Sequence, residues 1–148
     1  RNSLWKNRTP ETEKPLYGFL QLDVIKQVYL HGHKNPELIN PDNWNIDYRF
    51  MERPSAQRVH MDLFYDYRTN VVLYPKWQKF LREHQPKTLI FWGQKDIFFT
   101  PEGGEAYLKD IPEAEIHRLD SGHFAVEDCL EEIMTNMQRF YLEKIVQA

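Results

Sequence analysis

The sequence predicts an α/β fold with a mostly helical first part, and three observations carry that expectation. Two short runs, Thr88-Leu89-Ile90-Phe91-Trp92 and Glu115-Ile116-His117-Arg118-Leu119, are separated by one helix-like segment opened at Pro101. That is the length of a crossover between parallel strands. Each run stops at turn residues and then delivers a side chain able to do chemistry: Gly93 precedes Asp96, and Asp120-Ser121-Gly122 precedes His123. Before Pro86 the chain is rich in aromatic residues at helical spacing; after it the pattern alternates strand and helix.

Taken in order, residues 1–15 carry Arg1, Lys6, Arg8, Thr9-Pro10 and Lys14-Pro15 and read as a loop or extended arm. Leu16, Phe19, Leu20, Val24 and Val28 fall at near-helical intervals, so one amphipathic helix is expected over 16–30, ending near His31-Gly32. Asn35-Pro36 opens a short segment, and Asn40-Pro41-Asp42-Asn43 is a turn. Trp44 to Phe50 is aromatic and mixed. Ser55 is placed to cap a helix running through Tyr65. A further helix is expected over 69–84, with Leu73, Tyr74, Trp77, Phe80, Leu81 and His84 on one face and Pro75 in its early turns. The run 89–92 is short and apolar throughout, as in a strand covered on both faces. Pro101 suits a first helical position. From Glu127 the apolar residues Leu130, Ile133, Met134, Met137, Phe140, Tyr141 and Ile145 step by threes and fours, the most regular amphipathic pattern in the chain.

Composition narrows the function classes. The chain has 148 residues, enough for a moderate core, with 41% hydrophobic and 14% aromatic residues and a mean hydropathy of -0.69. A net charge of -3 gives no electrostatic case for nucleic acid or an anionic membrane. No apolar run approaches the roughly 18 residues needed to span a bilayer. Cys129 is the single cysteine, which favours a reducing, cytoplasmic setting. The first residues lack the apolar core of a signal peptide, and the absence of an initial Met suggests a processed or partial product.

An acid and an imidazole at the same ends of two parallel strands can work together. The carboxylate accepts from imidazole Nδ1–H, and the other nitrogen acts as a general base. Spacing leaves a second reading open, in which Asp96 is a turn residue and His123 a polar loop residue. Phe98, Phe99 and Phe124 flank the two candidates and either line a substrate pocket or simply pack. Of the other motifs, His31-Gly32-His33 lacks accompanying ligands and reads as a surface loop rather than a metal site. Gly103-Gly104 fits neither phosphate-binding pattern.

The segments Leu89-Ile90-Phe91-Trp92-Gly93-Gln94-Lys95-Asp96, Pro101-Glu102-Gly103 and Leu119-Asp120-Ser121-Gly122-His123-Phe124 resemble the C-terminal part of an α/β-hydrolase. In that family the acid follows a late strand, the histidine follows the last strand, and a final helix closes the fold. The resemblance implies a C-terminal core segment over 86–148 with an incomplete sheet. It also implies an N-terminal arm and a mostly helical cap or lid over 1–85, the cap lying in 16–85 and most like the epoxide hydrolase and haloalkane dehalogenase branch. It implies His123 as base and Asp96 as orienting acid, with Trp44 of the cap, Phe98, Phe99 and Phe124 facing a small apolar substrate and no cofactor or metal. The family places its nucleophile in a Gly-x-Ser-x-Gly-like elbow before the cap. The serines here are Ser3, Ser55 and Ser121, and none has that setting, nor does any aspartate or Cys129. The nucleophile is therefore expected outside this chain, which alone would be inactive. A different expectation is a non-catalytic binding or oligomerisation module, whose unpaired strand edge and apolar helix faces lead to self-association or to pairing with a separate N-terminal half.

Overall fold

The structure is a computed structural model and describes residues 2–147. Eight α-helices, two strands and several tighter turns follow one another among these residues. Residues 2–15 are largely helical and not the loop or extended arm expected. Helix α1 spans Asn2–Lys6 and α2 spans Pro10–Glu13. The polar sequence hid two anchors: Leu4 is 1% exposed, and Trp5 Nε1–H donates to Phe64 O at 2.8 Å. Thr9 then starts α2 through a reciprocal box with Thr12, which satisfies N–H groups left over at a helix start.

The single helix expected over 16–30 is two pieces. A 3-10 stretch covers Lys14–Leu20, and α3 covers Leu22–Leu30. Gln21 between them is extended, with φ -87° and ψ 147°. Helix α4 takes in Asp42–Met51, absorbing the aromatic stretch, and Asn40 Oδ1 accepts from Asp42 N–H at 3.0 Å ahead of it. Helix α5, Ala56–Asp66, begins after Ser55 as expected, but the Ser55 backbone is helical and its hydroxyl makes no cap bond. Helix α6, Arg68–His84, carries Pro75 inside it. Gln85 ends that helix at φ 42°, and its side-chain amide donates to Leu81 O, Arg82 O and Asp110 O, offsetting the cost of that left-handed backbone.

Strand β1, Leu89–Gly93, pairs in parallel with β2, Glu115–Leu119, from Leu89 opposite Glu115 to Gly93 opposite Leu119. Leu89 to Trp92 are half-buried, not covered on both faces as expected, because the sheet has two strands among the described residues. Between the strands, α7 covers Pro101–Glu105 and continues as a 3-10 turn to Lys109. The glycine pair is explained by packing: a Cβ on Gly104 would lie 2.7 Å from the Trp92 ring. Helix α8, Leu130–Phe140, closes the chain and loosens into a π-helical turn over Tyr141–Val146. Of its apolar stripe only Ile133 is buried, while Leu130, Met134, Met137, Tyr141 and Ile145 are exposed.

Contacts divide the chain into two units that interleave in sequence: Arg1–Gln27 with Asn40–Lys76, and Val28–Ile39 with Trp77–Ala148. The first is centred on Leu4, Leu16, Leu20 and Met61, side chains whose burial contributes about 1.5–3 kcal/mol each. The second holds the sheet, with Tyr29, Ile39, Ile111, Leu119 and Ile133 buried.

Candidate active site

The second unit's backbone brings the ends of β1 and β2 together before any side chain is considered. Beyond the last strand pair, Gln94 N–H donates to Leu119 O and Lys95 N–H to Ser121 O, each at 2.9 Å. The two loops thus run on side by side. They can do so because residues 93 and 122 are glycines: a Cβ on Gly93 would lie 2.1 Å from Gly122 O, and one on Gly122 would lie 1.9 Å from His31 O.

Asp96 stands on the first of these loops. Its Oδ1 accepts from the Phe98 and Phe99 amides at 2.7 and 3.0 Å, a side-chain turn that aims the other oxygen outward. That oxygen, Oδ2, lies 2.9 Å from His123 Nδ1. Burial pushes the Asp96 carboxyl up, but the Phe99 and Phe98 N–H groups and His123 outweigh it, leaving the group below the ordinary carboxylate range. An ionised carboxylate only accepts, so His123 Nδ1–H is the donor. Nε2 is then the nitrogen with a lone pair for a proton.

Aromatic rings surround the imidazole. Phe99 stacks on it at 5.5 Å between centroids, and Phe98 and Phe124 meet it edge-on at 5.4 and 4.9 Å. Tyr29 in turn stacks on Phe124 at 4.3 Å. His123 retains 25% side-chain exposure while Asp96 retains 8%, so the acid is shielded and the base is accessible. Five of the residues singled out in the sequence, Asp96, Phe98, Phe99, His123 and Phe124, therefore meet at one point. Trp44 belongs to the first unit, where it is buried in α4 with Lys26 Nζ 5.7 Å from its ring centroid.

The structure also shows a second acid–imidazole cluster that sequence spacing did not reveal. His33, expected in a surface loop, is 7% exposed. Its Nδ1 lies 3.0 Å from Asp128 Oδ2, although neither ring nitrogen is aligned for a hydrogen bond with a protein group. Asp128 Oδ2 also accepts from Lys34 N–H at 3.1 Å, and Oδ1 accepts from the Ser121 hydroxyl at 2.6 Å. Ser121, the serine beside the base in sequence, is fully buried and committed to this carboxylate. Burial and the neighbouring Asp128 carboxylate push the Cys129 thiol up to about 11, so it stays protonated at neutral pH and is a poor nucleophile. Among the described residues no cluster of His, Cys, Asp and Glu could hold a metal, and no helix is long and apolar enough to cross a membrane.

A parallel strand pair with helices around it, an acid after one strand and an imidazole after the next, is consistent with a partial α/β-hydrolase fold. No protein-family model matches the chain. It is 35% identical over 127 residues to an uncharacterized hydrolase of Saccharomyces cerevisiae, YNR064C, an alignment covering 83% of this chain and 43% of the yeast protein. It is 33% identical over 57 residues to the cis-3-alkyl-4-alkyloxetan-2-one decarboxylase of Shewanella oneidensis, covering 38% of this chain and 18% of that enzyme. Both names are typical of the α/β-hydrolase superfamily. The chain spans less than half the length of either curated relative.

Proposed function

We propose that this chain supplies the acid–base part of a hydrolase active site, with His123 as general base and Asp96 as the acid that orients it. The observation that carries this reading is the 2.9 Å contact from His123 Nδ1 to an Asp96 carboxylate already fixed by two backbone N–H groups. A carboxylate so held keeps the imidazole in one tautomer and stabilises the imidazolium that forms when Nε2 takes a proton. The hydrolase name of the yeast relative supports the same class.

The nucleophile comes from outside this chain, in a part corresponding to the region of the relatives that the chain does not match. It attacks an ester, epoxide or carbon–halogen bond of a small apolar molecule and becomes covalently attached. His123 Nε2 then takes a proton from water, and the oxygen of that water cleaves the covalent intermediate. Phe98, Phe99 and Phe124 form the apolar wall beside the base; residues 1–85 supply an N-terminal arm and helical cap, and residues 86–148 a core segment. No cofactor takes part. The epoxide hydrolase and haloalkane dehalogenase branch guides the choice of substrates.

Protein expressed from the complete coding sequence, offered aryl esters, small epoxides, haloalkanes and alkyl-substituted oxetanones, tests the reading. His123→Ala is expected to lower turnover about 10²–10⁴-fold, the usual contribution of a positioned base; unchanged turnover sinks the proposal.

A second reading has its own observation. The α8 stripe of Leu130, Met134, Met137, Tyr141 and Ile145 is exposed, and each strand of the sheet has one neighbour among the described residues. Such surfaces favour association with another copy or with a complementary chain. Light scattering of the 148-residue chain decides it: assemblies support the reading, and a monomer with a cooperative melt removes it.

A further inference from the structure

We propose that Asp128 is a positioning residue for His123, tethering the Ser121–Gly122 segment to residues 31–34. The proposal rests on the reading of Asp96 and His123 as a working pair and extends it to the far side of the histidine loop.

Asp96 is located by its own loop, through the amides of Phe98 and Phe99. His123 follows Ser121 and Gly122 on a loop held by its neighbours. What fixes this loop lies on either side of it. On one side Lys95 N–H bonds Ser121 O at 2.9 Å. On the other, Asp128 holds the Ser121 hydroxyl with Oδ1 at 2.6 Å and the Lys34 N–H with Oδ2 at 3.1 Å. One carboxylate therefore joins the residue two places before His123 to the segment against which Gly122 is packed, where a Cβ would meet His31 O at 1.9 Å.

The chemistry suits a permanent tether. Burial works to raise the Asp128 carboxyl, and the Ser121 hydroxyl, the Lys34 N–H and nearby His33 more than offset this, so it lies below the ordinary range. An ionised acceptor makes the stronger hydrogen bonds. The Ser121 hydroxyl, wholly buried, has in Asp128 the partner a buried donor requires. The order Ser121–Asp128–His33 also excludes a second hydrolytic triad: the serine bonds the acid and not the imidazole, and no bulk solvent reaches it.

Carboxyl carbon NMR of the full chain reads the tether through Asp96. Ser121→Ala and Asp128→Ala should each loosen the 2.9 Å contact with His123 and raise the Asp96 titration midpoint by about one pH unit, the size of a lost charge-assisted bond. The double variant should shift it no further, because both act through one link. Ile133→Val, a buried change on α8, should lower Tm slightly and leave the Asp96 midpoint where it was. Ser121→Ala removes only a hydroxyl and keeps the test open if Asp128→Ala fails to fold. An Asp96 midpoint unmoved in Ser121→Ala, or moved equally by Ile133→Val, overturns the proposal. Loss of the hydrolase reading would show instead as unchanged turnover in His123→Ala, with this NMR result intact.

Discussion

Two acid–imidazole pairs lie in the same unit and differ in what surrounds them. Asp96 and His123 are hydrogen-bonded at 2.9 Å, with a quarter of the histidine side chain open to solvent. Asp128 and His33 approach at 3.0 Å with the histidine side chain wholly covered. The residue types are equal, so composition does not separate an accessible pair from a covered one. Access and aim do. Asp96 spends one oxygen on two backbone amides and the other on the imidazole. Asp128 divides its oxygens between a serine hydroxyl and a backbone amide of another segment, and the imidazole is a bystander to those bonds.

Removing each histidine in turn should separate the two pairs most strongly. If the proposed hydrolase reading holds, His123→Ala should cost about 10³ in turnover of the full-length protein with a small change in Tm. His33→Ala should do the reverse, lowering stability by about 2 kcal/mol through the cavity and the lost neighbour of Asp128, as read by urea unfolding. A greater loss of stability than in His33→Ala is expected at Gly122. Since a Cβ there would lie 1.9 Å from His31 O, Gly122→Ala should destabilise by about 3 kcal/mol, at the upper end of overpacking costs, again by urea unfolding.

Acid unfolding gives a smaller effect on both pairs. Asp96 and Asp128 are each held below the ordinary carboxylate range, so the folded chain binds fewer protons than the unfolded one. Their contributions are complete above the unfolded value of about 3.9 and are lost as pH falls through the lowered folded values. Stability should therefore drop below about pH 4. Asp96→Asn and Asp128→Asn should each flatten that limb when ΔG is plotted from pH 6 down to pH 2. The smallest effect is expected on the surface beside the site. Lys95 Nζ lies 2.6 Å from Asp120 Oδ1, with both side chains about half exposed or more, and Lys95→Ala should change stability by no more than about 0.5 kcal/mol.

The same contrast explains what was legible in the sequence. Asp96 and His123 could be found because each follows a strand within a few residues, and strand, turn and side chain are all local. Their three phenylalanine neighbours are adjacent in sequence and came with them. His33 gives no such local signal, because its covered imidazole lies against Asp128, far along the chain. Helix α1 was missed for a similar reason: Leu4 and Trp5 are anchored by Phe64 and its neighbours, not by local pattern. The break at Gln21 leaves no mark in apolar spacing. Helix α8 shows the opposite case. Its stripe is periodic and its helix forms, yet Ile133 is the one apolar residue of that stripe covered among the described residues, since periodicity specifies a face and not what lies against it.

In the proposed site Asp96 presents His123 Nε2 as the basic nitrogen. Nitrogen-15 NMR of the histidine rings at neutral pH tests it on the chain itself. The Nδ1–H tautomer is predicted for the neutral His123 ring, with Asp96→Ala releasing it to a mixture of tautomers. A His123 ring that carries its proton on Nε2, or a tautomer indifferent to Asp96→Ala, would contradict the claim.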